Sequence, residues 1–347
     1  MTRKIIRNFL FIIVGVLVFF LVAEVTTRLV MPNSVKFRLM HQPDEKLGYR
    51  LVPNYEMEYK KSEFNTLIKI NSQGLRDYKH QKHKKSSSYR ILVMGDSFTF
   101  GLGVNSEETY TKVLETLLNQ NLDGKTQKQY EVINAGIDGY GTEQEYFYLE
   151  ELGNQYRPDL VIVGLYANDI ADVMQTIPFI YYKNRIKTSF YFLSFLKGLY
   201  TILKVALRND IQSTILQIYQ DQYTPQFEKA LQKTKKILLK TRDFTHSIGA
   251  EMVIVIIPLT FEIGRSEWEK GRFGQLYSDE FFNKNMHKFS SIFTEFGKAE
   301  EIYTLPLLPI FRKSKKKLYY LRDPHWNKEG HSLAAESIYN FLEKKGL

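Results

Sequence analysis

From Tyr89 to the C-terminus, short apolar runs alternate with longer segments in which apolar residues recur three and four positions apart. The short runs, bounded by turn residues, are typical of buried strands, and the longer segments are typical of amphipathic helices. The pattern predicts strands near 90–95, 130–134, 159–165, 251–257 and 301–304. It predicts helices over 107–120, 142–155, 226–247 and 328–344. Such alternation indicates an α/β domain with a central parallel sheet that helices cover on both faces.

The N-terminal segment is apolar over a much longer stretch, almost without interruption across residues 9–23. This leaves room for a membrane-spanning helix of about 20 residues, with Arg7 and Arg28 able to snorkel at its two ends. A cleaved signal peptide is the alternative, but the residues that end at Ala23 fit a cleavage site poorly. We expect an uncleaved single-pass anchor over residues 1–30, with its N-terminus cytoplasmic and the remaining chain extracytoplasmic, because long C-terminal domains translocate largely regardless of charge.

Two further parts follow the anchor. Residues 31–87 carry turn signals around the alternating segment from Thr66 to Ile70, which indicates a tether and a small β-rich accessory region. Residues 88–347 contain the α/β pattern, interrupted by an aromatic and basic insertion over about 175–225. We expect this insertion to be helical. It either packs against the domain core or forms a lid or a membrane-surface helix.

The first candidate chemical group is a serine at the end of the first predicted strand of the α/β pattern. Gly95-Asp96-Ser97 directly follows the apolar run 91–94. A serine between a strand and a helix is a candidate nucleophile, because the strand fixes its backbone and the helix N-terminus supplies N–H groups and positive potential. The triplet alone is also ordinary turn chemistry, so the interpretation depends on other segments.

Two segments after later strands offer groups for an oxyanion. The glycine-rich stretch 134–142 can turn sharply and bring a backbone N–H close to a ligand, although a plain loop has the same composition. Asn168 follows the strand predicted at 159–165 and can direct its amide into the same region. Asp169, its neighbour, is expected to cap the next helix, which leaves Asn168 available.

The fourth segment, 323–331, lies just before the last predicted helix and contains Asp323-Pro324-His325. Pro324 fixes its own backbone and biases Asp323 toward extended geometry. Residues two apart in an extended segment point to the same side, so the carboxylate of Asp323 can orient the imidazole of His325. The alternative is a surface turn with a structural histidine.

Together the four segments resemble the conserved blocks of the SGNH (GDSL-type) hydrolases, over about residues 88–345. The resemblance implies a three-layer α/β/α, flavodoxin-like fold and acyl transfer through a serine nucleophile. The roles that it implies are Ser97 as nucleophile and first oxyanion donor, Gly139 and Asn168 as further oxyanion donors, Asp323 as acid and His325 as base. The chain departs from the family pattern at one point, because acid and base are two positions apart where most members have three.

The Asp-x-His-Trp-Asn form resembles a subset associated with acylation or deacylation of extracellular polysaccharides. With the anchor, this favours a serine esterase that acts on O-acetyl or similar short acyl esters of an extracytoplasmic glycan. One alternative is an O-acyltransferase that uses the same triad and a membrane protein as partner. Another is a non-catalytic glycan-binding or assembly protein, which would have no need for Ser97 and His325 together.

Composition excludes several other classes. The chain has no cysteine, so disulfides and a cysteine nucleophile are excluded. Complete phosphate-loop and dinucleotide-loop motifs are absent from the sequence, and no residues have zinc-ligand spacing, so we expect no cofactor and no metal. The formal charge is +10, but no nucleic-acid-binding motif accompanies it. The basic runs are expected to be solvated loops or to attract anionic lipid or acidic glycan.

Overall fold

The structure is a computed structural model that describes residues 2–120, 129–207, 214–264, 267 and 286–347. Contacts along the chain group it into two units, Met1–Val52 with Pro178–Ile211, and Pro53–Ile177 with Gln212–Leu347. The three-part division expected from the sequence stays a prediction.

Among the described residues, the helices are α1 (Thr2–Val30), α2 (Pro32–Leu39), α3 (Ser97–Phe100), α4 (Tyr110–Gln120), α5 (Thr142–Tyr156), α6 (Asn168–Asp172), α7 (Ile177–Ser189), α8 (Tyr191–Leu207), α9 (Pro225–Ser247), α10 (Thr260–Ile263), α11 (Lys288–Ala299), α12 (Leu308–Phe311) and α13 (Lys328–Lys345). The strands are β1 (His41–Asp44), β2 (Gly48–Leu51), β3 (Glu56–Lys60), β4 (Asn65–Lys69), β5 (Ser88–Gly95), β6 (Gln129–Asn134), β7 (Leu160–Leu165), β8 (Glu251–Ile256) and β9 (Tyr303–Pro306).

The first unit is built around α1, the one helix within the described ranges that is long and apolar enough to cross a membrane. A signal sequence near the N-terminus has the same features. The insertion contributes α8 to this unit. The carboxylate of Glu24 accepts the N–H groups of Tyr191 and Phe192 at 3.1 and 2.9 Å, and so satisfies two donors that the start of α8 leaves unpaired. The Phe192 ring meets Phe19 and Phe20 edge-on. Within the insertion, α7 and α8 are helical and α8 packs on the N-terminal helix, while residues 208–213 lie outside the described residues.

The second unit contains a five-stranded parallel sheet in the order β6-β5-β7-β8-β9. Every residue of β7 is buried, and β5 is buried except at Tyr89, because helices lie on both faces of the sheet. The predicted α/β fold is thus confirmed. From β5, one connection leads to β6 at one edge of the sheet, and the later strands β7, β8 and β9 follow toward the other edge. Ligand sites in such sheets lie beyond the carboxyl ends of the strands at the point where the strand order reverses, which here is β5 and β7.

Each predicted strand and helix of the α/β pattern is present, with small shifts of the ends. The helix predicted at 107–120 is divided into a 3₁₀ turn, Ser106–Glu108, and α4, because Thr109 between them has extended backbone angles. The sequence reading missed α11, whose buried phenylalanines 289, 293 and 296 recur at helical spacing. It also missed the four- and five-residue helices, which are too short to show a period.

The accessory region contributes an antiparallel hairpin, β3–β4, to the second unit. Its strands alternate exposed and buried residues, as expected for a sheet with one face against the protein. Residues 61–64 connect the two strands and are called the hairpin loop below. Lys61 N–H donates to the carbonyl of Phe64 at 2.9 Å and closes this loop.

Candidate active site

Ser97 is the first residue of α3, directly after β5. Asp96 caps this helix, since its side chain accepts the N–H of Phe98 at 2.9 Å. Gly95 has a φ of +155° and a Cβ there would collide with the Thr99 side chain, so the turn from strand to helix requires glycine. The helix ends after one turn at Gly101, whose N–H donates to the carbonyl of Ser97 at 3.0 Å. The sequence therefore builds a short, fixed strand–turn–helix with the serine at its start.

Ser97, His325 and Asp323 form one chain of hydrogen bonds. His325 Nε2 lies 2.7 Å from Ser97 Oγ, and His325 Nδ1 lies 2.5 Å from Asp323 Oδ1. With the carboxylate ionised, Nδ1 carries the proton and donates to it, which leaves Nε2 as an acceptor for the serine hydroxyl. The structure thus brings the three predicted residues together in the order that a nucleophile, base and acid require.

The two-residue step between acid and base has a direct geometric consequence. The same carboxylate oxygen, Asp323 Oδ1, also accepts the backbone N–H of His325 at 3.2 Å. One oxygen therefore holds both the ring and the backbone of His325, in a local turn of the kind that aspartate forms with a residue two positions on. The other oxygen, Oδ2, faces Lys61 at 3.0 Å.

Asp323 is ionised at neutral pH. Burial alone would raise its pKa, but the hydrogen bond and charge of His325, together with the Lys61 ammonium, hold the pKa of this carboxyl well below its usual range. An ionised partner is what an imidazole needs if it is to gain a proton during a reaction.

The base of the loop that carries Asp323 and His325 is held by Trp326. This residue is fully buried and forms an isolated β-bridge with Tyr319. Its ring packs edge-on against Phe98, with centres 5.0 Å apart, and the His325 ring lies 5.1 Å from the same phenylalanine, so aromatic contacts join the helix of the nucleophile to the loop of the base. Gly330 is required behind it, because a Cβ there would collide with the carbonyl of Leu318.

The tip of the same loop is held by residues that the sequence reading missed. Glu63 in the hairpin loop accepts the N–H groups of Leu321, Arg322 and Asp323 at 2.7, 2.8 and 2.8 Å. Lys61 in the same hairpin loop binds Asp323, as described above. Their partners are about 260 positions away in the sequence, and no local pattern points to them.

Arg76 was also missed, and it supports the segment after α3. Its buried guanidinium donates to the carbonyls of Phe100, Gly101 and Val104 at 2.8, 2.5 and 2.6 Å. Burial lowers the pKa of Arg76 to about 10, so it is still charged at neutral pH. Three carbonyl dipoles on one cation hold in place the stretch that follows the nucleophile.

Gly139 lies in the loop after β6, which runs beside the strand of the nucleophile. Ile137 N–H donates to the carbonyl of Gly95 at 3.1 Å, and a Cβ on Gly136 would collide with the backbone of α3. Gly139 is exposed and has a φ of +76°. Neither its N–H nor that of Ser97 donates to another of the described residues, so both are available to a ligand.

Asn168 is the first residue of α6, at the carboxyl end of β7. Its Nδ2 donates to Asp172 Oδ2 at 3.2 Å, and its buried Oδ1 has no hydrogen-bond partner within the described ranges. The expectation that Asp169 caps this helix was wrong, because Ala167 is the N-cap. Asp169 instead turns its carboxylate back to accept the N–H of Tyr166 at 2.9 Å. No hydrogen bond joins Gly139 or Asn168 to Ser97 in the described part of the chain.

Buried carboxyl groups lie close to the nucleophile. Burial raises the pKa of Asp96 to about 6, with a further rise from Asp138, against the opposing effects of the Phe98 N–H, His325 and Asn168. Burial and mutual repulsion also raise the pKa values of Glu145 and Asp169 well above the usual range. The described residues contain no group of three or more metal-ligating side chains that could hold an ion.

Comparisons with known proteins identify related sequences and folds. Residues 93–333 match the model of the GDSL-like lipase/acylhydrolase family, which is more than half of the chain. A comparison with curated proteins found no match. Among solved structures, the chain is similar to TesA, with 15% identity over 74% of this chain and 98% of that chain and a TM-score of 0.44. It is also similar to the psychrotrophic esterase EstA from Pseudoalteromonas sp., with 18% identity over 74% and 97% of the two chains and a TM-score of 0.42. An acetyl xylan esterase, AlAXEase, has 16% identity over 73% and 99% and a TM-score of 0.42.

Proposed function

Because the chain belongs to the GDSL-like lipase/acylhydrolase family and is a carboxylic ester hydrolase, we propose that Ser97, His325 and Asp323 hydrolyse esters through an acyl-enzyme. The observation that carries this assignment is the hydrogen-bonded chain from Ser97 Oγ through the imidazole to Asp323, with distances of 2.7 and 2.5 Å. The base and acid share one loop, 228 positions after the nucleophile, and they meet Ser97 beyond the carboxyl end of β5, where ligand sites in such sheets lie.

The first half of the reaction forms the acyl-enzyme. Ser97 Oγ attacks the ester carbonyl while His325 Nε2 takes the serine proton, and Asp323 stabilises the imidazolium that results. The tetrahedral intermediate then collapses. The bond to the alcohol breaks, and His325 gives its proton to the departing alkoxide. In the second half, water attacks the acyl group with His325 again as base, and the acid leaves as Ser97 recovers its proton.

The negative charge of the tetrahedral intermediate needs donors that are already in place. The backbone N–H groups of Ser97 and Gly139 are unused by the described residues and can supply two. Asn168 can supply a third, because an amide nitrogen carries two hydrogens and only one is needed for the contact with Asp172. In this proposal Asp172 orients the amide, and the N–H that otherwise interacts with the Asp96 carboxyl turns to the oxyanion.

The proposed substrate is an O-acetyl or similar short acyl ester on an extracytoplasmic glycan. A groove of about 510 Å³ is lined by Tyr320 and Leu321 of the Asp323 loop and shares Lys328 and Glu329 with a larger groove of about 760 Å³, and neither groove is lined by Ser97, Asp323 or His325. The larger groove is also lined by Lys313, Lys315 and Lys316, whose charge would suit an acidic polymer.

The proposed location is a membrane, with α1 as a single uncleaved span, the N-terminus cytoplasmic and the catalytic unit outside. The length and apolar character of α1 support this, together with its exposed side chains. Protease added to intact cells should digest the C-terminal unit and spare an N-terminal tag. A C-terminal unit that is protected in intact cells but digested after lysis would reverse the orientation.

The function is tested with the full chain in detergent, on esters of increasing acyl length and on an O-acetylated glycan with labelled acetyl groups. Release of free acetate by the wild-type protein, absent in Ser97→Ala, is expected. Label that moves to a second glycan in the presence of a membrane acyltransferase would instead indicate an O-acyltransferase. Glycan binding without release or transfer of label would indicate a binding or assembly protein.

A further inference from the structure

The hairpin loop between β3 and β4 makes an extensive set of polar contacts with the loop that carries acid and base. Glu63 binds three successive backbone N–H groups, using Oε1 for Leu321 and Oε2 for Arg322 and Asp323. Successive N–H groups that converge in this way form a concave anion site, here filled by a carboxylate of the same chain. Glu63 thereby fixes the backbone immediately before the acid.

Lys61 binds the acid itself. Asp323 Oδ1 serves the ring and backbone of His325, while Oδ2 receives the Lys61 ammonium at 3.0 Å. The Asp323 side chain is only 10% exposed, so water has little access to the carboxylate, and the ammonium of Lys61 offsets part of the cost of burying its charge. Each oxygen therefore has its own partner, which restricts rotation of the carboxylate.

The side chain of Lys61 is itself held in place by the same hairpin. Its ammonium lies 5.5 Å from the centre of the Tyr59 ring and 5.7 Å from that of Phe64. Phe64 in turn packs on Tyr320, with ring centres 5.0 Å apart, and the Tyr320 hydroxyl donates to the carbonyl of Gly103 at 2.7 Å. Aromatic packing thus joins the hairpin to the same loop that the two charged residues bind.

We propose that the hairpin loop is part of the catalytic apparatus, with Glu63 and Lys61 as positioning residues that act on Asp323. This rests on the proposed triad. Lys61 also competes electrostatically with the imidazolium for the same carboxylate. Without the ammonium of Lys61, the negative charge of Asp323 is less neutralised, so it stabilises the protonated imidazole of His325 more strongly. Removing the charge of Glu63 has the opposite sign, because it takes away a negative charge near the same site.

The test is the pH dependence of kcat/KM for a neutral acetate ester, measured at low ionic strength on the full chain. Asp96, with a pKa of about 6, and the buried His331 also interact with His325, and both are kept in every variant, so a difference between limbs reports the hairpin loop. Lys61→Met is expected to lower kcat about 10-fold and to move the acidic limb to higher pH, on the order of half a unit. Glu63→Gln should lower kcat similarly but move the limb to lower pH. Lys61→Arg, which keeps the charge, should restore the wild-type limb.

Lys60→Met is the matched control, because it removes the same charge from an exposed position on the same hairpin. It should keep the wild-type kcat and limb. A Lys61→Met protein with unchanged kcat and limb would overturn the proposal, as would limbs that move in the same direction for Lys61→Met and Glu63→Gln. If Lys61→Met does not fold, Lys61→Gln gives the same comparison. Failure of the triad itself would appear separately, as activity that survives in Ser97→Ala.

Discussion

Asp323→Asn tests how the acid is shared between its partners. The carboxylate accepts hydrogen bonds from the ring and backbone of His325 on Oδ1 and from Lys61 on Oδ2. An asparagine has only one acceptor oxygen. Lys61 is a charged donor and attracts that oxygen more strongly, so the amide nitrogen is turned toward His325. The ring must then accept at Nδ1 and carry its proton on Nε2, where it cannot take the serine proton.

The expected cost is large because both the tautomer and the stabilisation of imidazolium are lost. Removing the acid of such a triad while keeping its shape typically lowers kcat by about 10⁴, or roughly 5.5 kcal/mol of transition-state stabilisation. The assay is kcat for a p-nitrophenyl ester at neutral pH, with thermal melting as a check on folding. Activity within 10-fold of the wild type would refute the assignment of Asp323.

A double variant shows whether the competition with Lys61 is the cause. In Lys61→Met with Asp323→Asn, no charged donor attracts the amide oxygen, which can then turn to His325 and restore the correct tautomer. The double variant should therefore be about 10-fold faster than Asp323→Asn, although Lys61→Met alone is slower than the wild type. Additive losses in the double variant would contradict this reasoning.

Three further predictions concern the nucleophile and its surroundings. Ser97→Ala should lower ester turnover by a factor of at least about 10⁴ with little change in melting temperature, since alanine keeps the start of α3. A purified variant that keeps more than about 10⁻⁴ of the wild-type turnover would exclude Ser97 as the nucleophile. Asn168→Ala should lower kcat by about 10²–10³, or about 3–4 kcal/mol, with KM nearly constant, whereas a lower melting temperature with unchanged kcat would leave it only a structural role. Asp96→Asn should gain stability relative to the wild type as pH rises. The pKa of Asp96 is raised to about 6 in the folded protein, so the wild type loses stability between about pH 4 and 6 and the variant does not. Urea unfolding at pH 4 and pH 7 should show that the free energy of unfolding of the variant, relative to the wild type, is higher at pH 7 by up to about 3 kcal/mol. The same difference between variant and wild type at both pH values would contradict this.

The sequence identified the sheet and the three residues of the hydrogen-bonded chain because their signals are local. Strands buried on both faces are continuous apolar runs, and a glycine before Ser97 or a proline before His325 limits the backbone nearby. The side-chain direction of Asp169 could not be predicted in this way. Its carboxylate can accept an N–H group either from the start of the helix or from the preceding turn, and which one it accepts depends on how α6 follows β7.

The contacts that hold the acid–base loop depend on tertiary structure alone. Lys61 and Glu63 lie in a polar turn, where charged residues are ordinary, and the groups that they bind are mostly backbone N–H. Backbone donors have no sequence signature. The packing of α8 on α1 was hidden for a related reason, because an apolar helix surface does not specify its partner.

The position of the hairpin loop sets the size of the smallest active fragment. The family match begins at residue 93, so the region shared with relatives contains Ser97, Gly139, Asn168, Asp323 and His325 but omits Lys61, Glu63 and Arg76. A fragment that begins at Ser88 would keep the complete five-stranded sheet and lose Lys61, Glu63 and Arg76. One that begins at Pro53 would keep them. In this protein the accessory hairpin therefore belongs to the enzyme proper, and the region shared with the family is only part of the working unit.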